Sequence, residues 1–232
     1  MQKLSIVIPV FNEKNTILEV LKRIDAVVLP LEKEIILVDD ASTDGTREIL
    51  KGLPEEKYKV FYHEENLGKG AAVRKGFNEV SGDIIIIQDA DLEYDPEEYE
   101  KLISPILHGK ADVVYGSRLI GSEAHRVLYF WHYLGNRCLT FLSNMLSNLN
   151  LSDMETGYKV FSRQALDKIK SRLTSNRFGI EPEITMLIGR NKFKIYEVGI
   201  TYSGRTYEDG KKIGWRDGFA AIWHIIWFGV RR

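Results

Sequence analysis

The sequence predicts an α/β protein with a mainly parallel central sheet covered by helices on both faces. Three observations carry this. Short β-branched, apolar runs alternate with segments of helical periodicity through the first half of the chain. The runs at 35–38 and 84–87 are apolar throughout, as strands buried on both faces are. The acidic and basic residues that could do chemistry follow these runs directly, at the carboxyl edge where a parallel sheet opens its ligand crevice.

The elements follow in order. Residues 4–10 read as a buried strand. Residues 16–28 carry Ile17, Leu21, Ile24 and Val28 at helical spacing, with Thr16 and Glu19 as a capping box. A second strand at 35–38 ends in Asp39-Asp40, and Ser42, Thr43 and Asp44 then lead into a short helix. Residues 59–63 are a third strand and 70–80 a helix. Residues 84–87 are a fourth strand ending at Gln88-Asp89, 96–107 a helix with Pro96 in its first turn, and 112–116 a fifth strand. In the second half, residues 127–151 are aromatic and apolar, a helical pattern broken by His132 and Gly135-Asn136-Arg137. Residues 157–161 and 193–200 read as strands, 163–173 and 181–190 as helices, and 203–214 as a Gly- and charge-rich loop. The chain ends in an apolar stripe, Phe219, Ile222, Trp223, Ile226, Trp227 and Val230, followed by Arg231-Arg232. No linker or repeat interrupts it, so one domain is expected over 1–210, with an amphipathic elaboration over 211–232 suited to a membrane interface or to packing on the domain itself.

Composition narrows the function classes. The 232 residues are 44% hydrophobic and 28% charged, which excludes wholesale disorder. Thirty-two Lys and Arg against 33 Asp and Glu give a net charge of -1, so nothing global points to nucleic acid. The single cysteine, Cys138, forms no internal disulfide. The N-terminal run lacks the pattern of a signal peptide, and no window approaches the ~20 apolar residues of a membrane span. The expectation is a cytoplasmic protein, peripheral on the cytoplasmic face of a membrane.

The chemistry-bearing residues are few. In an extended segment Asp89 and Asp91 point to one side, and Glu93 continues the spacing; such carboxylates suit a hard cation such as Mg2+, although an acidic turn capping the next helix reads the same way. Asp39-Asp40 can accept hydrogen bonds from a nucleobase or ribose, and the capping groups already present leave the pair partly surplus to structure. Gly68-Lys69-Gly70 opens a helix and could cradle phosphate, but its spacing is not that of a P-loop. Arg118, Arg137, Arg205, Lys211 and Lys212 would make a phosphate-handling pocket if they converged.

Five segments then read together: Ile8-Pro9-Val10-Phe11-Asn12-Glu13, Val38 through Thr46, Asn66-Leu67-Gly68-Lys69-Gly70, Asp89-Ala90-Asp91 and Gly116-Ser117-Arg118. In this order they resemble the family-2 inverting glycosyltransferases of the Rossmann-like GT-A fold, in particular the branch that transfers sugars to polyprenyl phosphates. The resemblance covers about residues 4–205. It implies that Pro9, Phe11, Glu13, Val38, Gly68, Lys69 and Ala90 line a nucleotide sugar and that Asp40 contacts the base. Asp89 and Asp91 correspond to the metal and diphosphate signature, with Glu93 a further ligand. Arg118 corresponds to the acceptor-phosphate arginine, with Arg126 or Arg137 standing for a second one. Residues 153–159 (Asp-Met-Glu-Thr-Gly-Tyr-Lys) are similar to the segment beside the reacting centre, and Arg205 and Lys211 to a loop closing over the diphosphate. Many relatives carry C-terminal membrane helices that are not seen in this sequence, so the terminal helix or a membrane-anchoring partner subunit would supply attachment.

The expected reaction moves mannose or glucose from a GDP- or UDP-linked donor to a dolichyl or undecaprenyl phosphate, with Mg2+ or Mn2+ as cofactor. A phosphate acceptor needs no strong base, since its second pKa is about 6. A sugar-hydroxyl acceptor, in polysaccharide or glycolipid synthesis, would need one, and Asp153 is the nominee. A nucleotidyltransferase lacks support, because Phe11-Asn12-Glu13 is not a basic Gly-rich loop. A binding subunit without turnover is disfavoured by the intact Asp89/Asp91 pair.

Overall fold

The computed structural model describes residues 2–121, 129–204 and 215–230. Seven strands form one sheet: β1 (Lys3–Val10), β2 (Glu32–Asp39), β3 (Tyr58–Tyr62), β4 (Ile84–Ile87), β5 (Val113–Ser117), β6 (Lys159–Ser162) and β7 (Ile195–Gly199). Their order is β3-β2-β1-β4-β6-β5-β7. β1 is parallel to β2 and β4, β2 to β3, and β5 to β7, whereas β6 runs antiparallel to β4 and β5. The expected α/β architecture is therefore present, with one reversed strand. Apolar runs do not encode direction, and this reversal matters. Lys159, at the start of β6, pairs with Tyr115 near the end of β5. The segment entering β6 thus lies at the same edge as the exits of β4 and β5.

Eight α-helices accompany the sheet among the described residues: α1 (Ile17–Ala26), α2 (Thr46–Lys51), α3 (Lys69–Glu79), α4 (Tyr99–Leu107), α5 (Phe130–Ser147), α6 (Arg163–Ile169), α7 (Ile180–Arg190) and α8 (Trp215–Val230). Alternate residues of each central strand feed opposite layers. Leu4, Ile6, Ile8, Ile84 and Ile86 pack with α1 and α4 on one face. Val7, Ile85 and Ile87 pack with α3, α6 and α7 on the other. This two-sided burial explains why Ile84–Ile87 is apolar at every position.

Three local expectations change. The Thr16–Glu19 capping box does not form: the Thr16 hydroxyl donates to Glu13 Oε2 at 2.7 Å, and Glu19 pairs with Arg23. The helix at 96–107 begins with a 3-10 turn, capped by Asp95 accepting from the Glu97 amide. The aromatic segment is not broken at Gly135, because α5 runs uninterrupted from 130 to 147 and Gly135 sits on its open side.

A buried carboxylate stitches the sheet. Glu34 on β2 accepts from Ser5 on β1, from the Ser81 amide and hydroxyl before β4, and from Lys59 on β3, all between 2.5 and 2.8 Å. Burial alone would raise its pKa, but these donors together lower it from the usual 4.5 to about 2. The folded-state pKa is depressed, so its stabilisation is present above about 4.5 and is lost as pH falls toward about 2. Glu34→Gln is expected to cost about 2 kcal/mol at pH 7 in urea unfolding and much less at pH 3; an equal loss at both pH values would refute the assignment.

Candidate active site

The loops after β1 and β2 are built as one unit. Asn12 and Ala41 both adopt left-handed backbone, φ 53° and 60°. The Asn12 amide donates to Ser42 Oγ, the Thr43 amide to Asn12 Oδ1, and the Glu13 amide to Thr46 Oγ1. Pro9 and Phe11 stay partly exposed at this rim, while Glu13 is buried.

Several residues taken from sequence as ligand-binding turn out to hold the rim together. Val38 is fully buried against Ala72 and cannot touch a ligand with its side chain. Asp39 accepts from Arg47 Nε at 2.7 Å. Asp40 accepts from the Leu67 and Gly68 amides at 3.0 and 2.7 Å, and its Oδ1 lies 2.8 Å from His63 Nδ1. The pair is therefore not surplus to structure. The Gly68 amide donates to Asp40, so a phosphate cradle here would have to use other amides. Gly68 has φ +100°, and a Cβ on Gly70 would lie 2.5 Å from the Ser175 carbonyl oxygen, so this turn is glycine-rich to let the chain pass close by.

Lys69 joins the second strand tip to the fourth. Its Nζ lies 2.8 Å from Asp89 Oδ1 and 3.3 Å from Glu181 Oε1, and Glu181 also pairs with the buried Lys159. The two carboxylates hold the Lys69 ammonium charged, with its pKa raised in spite of burial. Asp89 Oδ2 faces Gly157, where a Cβ would sit only 2.3 Å away. Ala90 is buried.

Beyond Gln88 the chain is a turn rather than a strand, and Leu92 has φ 63°. The expectation that alternation aligns Asp89, Asp91 and Glu93 therefore does not hold. The turn sets the Glu93 amide on Asp91 Oδ1 at 3.2 Å. Glu93 Oε2 accepts from Tyr202 at 2.8 Å. Among the described residues no three His, Cys, Asp or Glu side chains converge as a ready metal cage. Two half-buried carboxylates leave the remaining positions to substrate oxygens and water, which suits Mg2+ or Mn2+ on a diphosphate.

Arg118, at the β5 exit, forms a two-pronged pair with Asp153: Nε to Oδ2 at 2.7 Å and Nη2 to Oδ1 at 2.8 Å. The Arg118 amide and Asn136 of α5 also donate to Asp153. Burial would raise the Asp153 pKa, but Arg118 dominates and holds it below the usual carboxylate range. Asp153 is thus an anchor, and its nomination as general base is withdrawn. Arg118 lies over the Tyr202 ring, which packs on Tyr94, whose hydroxyl accepts from the Gly157 amide. The charges acting on that hydroxyl are Arg118, Asp89 and Asp153, which places the β4, β5 and β6 contributions at one spot. Arg137 is exposed on α5 against Tyr133, with no bond to this cluster. Arg126, Arg205, Lys211, Lys212, Arg231 and Arg232 lie outside the described residues, as do the side chains of Arg216 and Phe219.

Glu181 escaped the sequence reading, and Glu155 and Lys159 entered it only as members of the 153–159 segment, with no role of their own. A lysine inside the apolar run at 157–161 and two glutamates in Gly-Ile-Glu-Pro-Glu-Ile were the available signals. Glu155 Oε1 is enclosed and meets no donor among the described residues. Burial, then the charge of Glu181, pushes its carboxyl up to about 7.

The profile of Glycosyl transferase family 2 matches residues 5–170. The chain belongs to this family. An uncharacterized protein of Methanocaldococcus jannaschii is 30% identical over 95% of this chain and 90% of its own length. A UDP-N-acetylglucosamine–dolichyl-phosphate N-acetylglucosaminyltransferase of Methanococcus voltae is 27% identical over 95% and 94%. The dolichol-phosphate mannosyltransferase of Pyrococcus furiosus is 30% identical over 91% of this chain, which spans 60% of that protein. Glucosyl-3-phosphoglycerate synthase from Mycobacterium tuberculosis, solved with Mn2+, UDP and phosphoglyceric acid, superposes over 100% of this chain and 80% of its own with a TM-score of 0.74 at 20% identity. That likeness establishes the shared GT-A fold.

Two outcomes follow for this family-2 transferase. Asp153→Asn strands the buried Arg118 charge and is expected to cost about 3 kcal/mol in unfolding without any substrate; wild-type stability would refute the pairing. Glu155 holds its proton in the folded state between about 4.5 and about 7, so its contribution to stability is full below about 4.5 and lost as pH rises through about 7. Glu155→Gln should therefore gain on wild type by up to about 3 kcal/mol between pH 5 and pH 8 in denaturant titrations; a pH-independent difference would refute it.

Proposed function

We propose that this chain transfers a hexose from a GDP- or UDP-linked sugar to a polyprenyl phosphate, with inversion at the anomeric carbon. The observation that carries the acceptor is the outer side of α5. Its inner side mixes polar and apolar groups: Asn136 bonds Asp153, Thr140 caps the Met154 amide, Ser143 is fully buried, and Leu139 and Leu142 pack on Met154, Met186 and Ile225. Its outer side exposes Phe130, Trp131 (75%), Tyr133, Leu134, Phe141 and Met145. α8 packs on α5 and α7 through Ala221 and Ile225 and turns Trp223 (61%), Ile226, Trp227 and Val230 outward. A contiguous aromatic surface of this kind suits an apolar partner. It starts on the same helix that braces the Arg118–Asp153 pair, so a lipid chain lying on it would present its phosphate to Arg118. No helix of the described residues is long and apolar enough to cross a membrane, so α5 and the 211–232 segment are proposed to rest on the membrane surface.

In the mechanism, Pro9, Phe11 and Glu13 line the nucleotide, and Asp40 acts on it through the loop it fastens. Asp91 and Glu93 would hold a divalent cation, with Asp89 kept beside them by Lys69. Such a cation neutralises charge developing on the diphosphate. Arg205 and Lys211 are proposed to close over the same group. Arg118 orients the acceptor phosphate, whose oxygen bonds to the anomeric carbon as the bond to the diphosphate oxygen breaks and the nucleoside diphosphate leaves with the electron pair. The acceptor oxygen is already ionised near neutrality, so Asp153 is free to serve as an anchor. A sugar-hydroxyl acceptor is the second reading, and Glu155, with its raised pKa, is the group that favours it.

The test is to incubate labelled GDP- and UDP-hexoses with Mn2+ and a long polyprenyl phosphate in detergent, then extract with organic solvent. Cation-dependent label in the organic phase is expected. Trp131→Ser with Phe141→Ser should lower transfer to the long acceptor about tenfold while leaving a short, water-soluble isoprenyl phosphate nearly unaffected. Label confined to water-soluble glycan, or to no product with any donor, would sink the proposal.

A further inference from the structure

Before β6, Asp153, Met154, Thr156 and Gly157 are each fastened, and the Glu155 side chain between them is not. Asp153 is held by Arg118 and Asn136. The Met154 amide donates to Thr140 Oγ1 at 3.2 Å, and its side chain packs with Met186 and Ile225. Thr156 Oγ1 donates to the Gly116 carbonyl, and the Gly157 amide to Tyr94. Glu155 lies in the middle of this rigid stretch, and its enclosed Oε1 has no protein donor among the described residues. A carboxyl held on so fixed a backbone, with an oxygen unbonded, is preorganised for a ligand.

Its surroundings say which part of the ligand. Two residues before it, Asp153 is held by Arg118 at the proposed acceptor-phosphate end; two residues after it, Gly157 packs on the carboxylate of Asp89, which belongs to the Lys69–Glu181 network at the proposed diphosphate end. The transferred sugar is by definition the group between the attacking phosphate and the departing diphosphate. An ionised Glu155 would repel either phosphate. A hydroxyl is neutral and can both donate and accept, so it matches the carboxyl in either protonation state, both of which are populated near neutrality.

We propose that Glu155 grips the hexose of the donor, Oε1 hydrogen-bonding one ring hydroxyl, and thereby sets which hexose is accepted. This rests on the reading that the site holds a nucleotide sugar with the acceptor entering at Arg118.

Calorimetry with Mn2+ tests it on the full chain, comparing bare UDP and GDP, their hexose conjugates and a series of monodeoxy conjugates. In wild type the hexose should add about tenfold to affinity over the bare nucleotide, and one deoxy analogue should lose that gain. In Glu155→Ala every conjugate should fall to within about twofold of the bare nucleotide, and the deoxy penalty should vanish. Glu155→Gln, nearly isosteric, should keep part of the gain. Unchanged affinity for the bare nucleotide in both variants certifies the fold. The inference is overturned if Glu155→Ala binds all conjugates as wild type does, including the case where binding is unaltered and only turnover collapses, which would make Glu155 a proton acceptor. If wild type binds no nucleotide sugar, the reading beneath it falls first. If it binds donors as described but leaves polyprenyl phosphate unglycosylated, only the acceptor assignment fails.

Discussion

An arginine and an aspartate removed from water must be kept together, since either one left alone costs several kcal/mol. Arg118 and Asp153 are such a pair, and each belongs to a different part of the chain. Arg118 ends β5; Asp153 begins the approach to β6; Asn136 draws α5 onto the same carboxylate. The pair thus fixes the angle at which the second half of the molecule returns to the sheet. Because β6 is reversed, this return delivers residues 153–157 to the edge where parallel strands deliver their own tips. Tyr202 lies against the guanidinium and packs in turn on Tyr94.

The charge balance of the pocket follows. Lys69, Lys159 and Arg118 face Asp89, Glu181, Asp153 and Glu155, three cations against four carboxylates. Burial, reinforced by the charge of Glu181, raises the Glu155 carboxyl to about 7, whereas Arg118 holds Asp153 below the usual range. Every lysine and arginine in this inner ring is already matched. An incoming diphosphate therefore finds little uncommitted positive charge there, and the proposed cation, with the roles proposed for Arg205 and Lys211, is what such a pocket calls for.

The strands were legible because each is an apolar run of the right length, and Asp89 and Arg118 because parallel strands expose their ends. Strand direction was not legible. Residues 35–38 and 157–161 look alike as strings, yet only the latter is part of a reversed strand. The 153–159 motif marked the stretch that holds Glu155 and Lys159, but it did not show which of its side chains face the site, and Glu181 stood in no motif; the reversal of β6 is what brings them there. Motif membership also misled: Val38 and Gly68 sit inside matching segments, but one fills the core and the other spends its amide on Asp40. In α5, the glycine that looked like an interruption lies where nothing crowds it, and backbone hydrogen bonding carries through.

Gly157 sets a limit on how such a transferase can diversify. A Cβ there would press on the Asp89 carboxylate and the Tyr94 ring, so a larger residue requires Asp89 to turn from its place beside Lys69. Change at that position is tied to the charge network at the β4 exit. The neighbouring glutamate, whose backbone is pinned but whose side chain is not, remains open to exchange. Laboratory selection for altered sugar usage would then find its room at 155 while 157 stays silent.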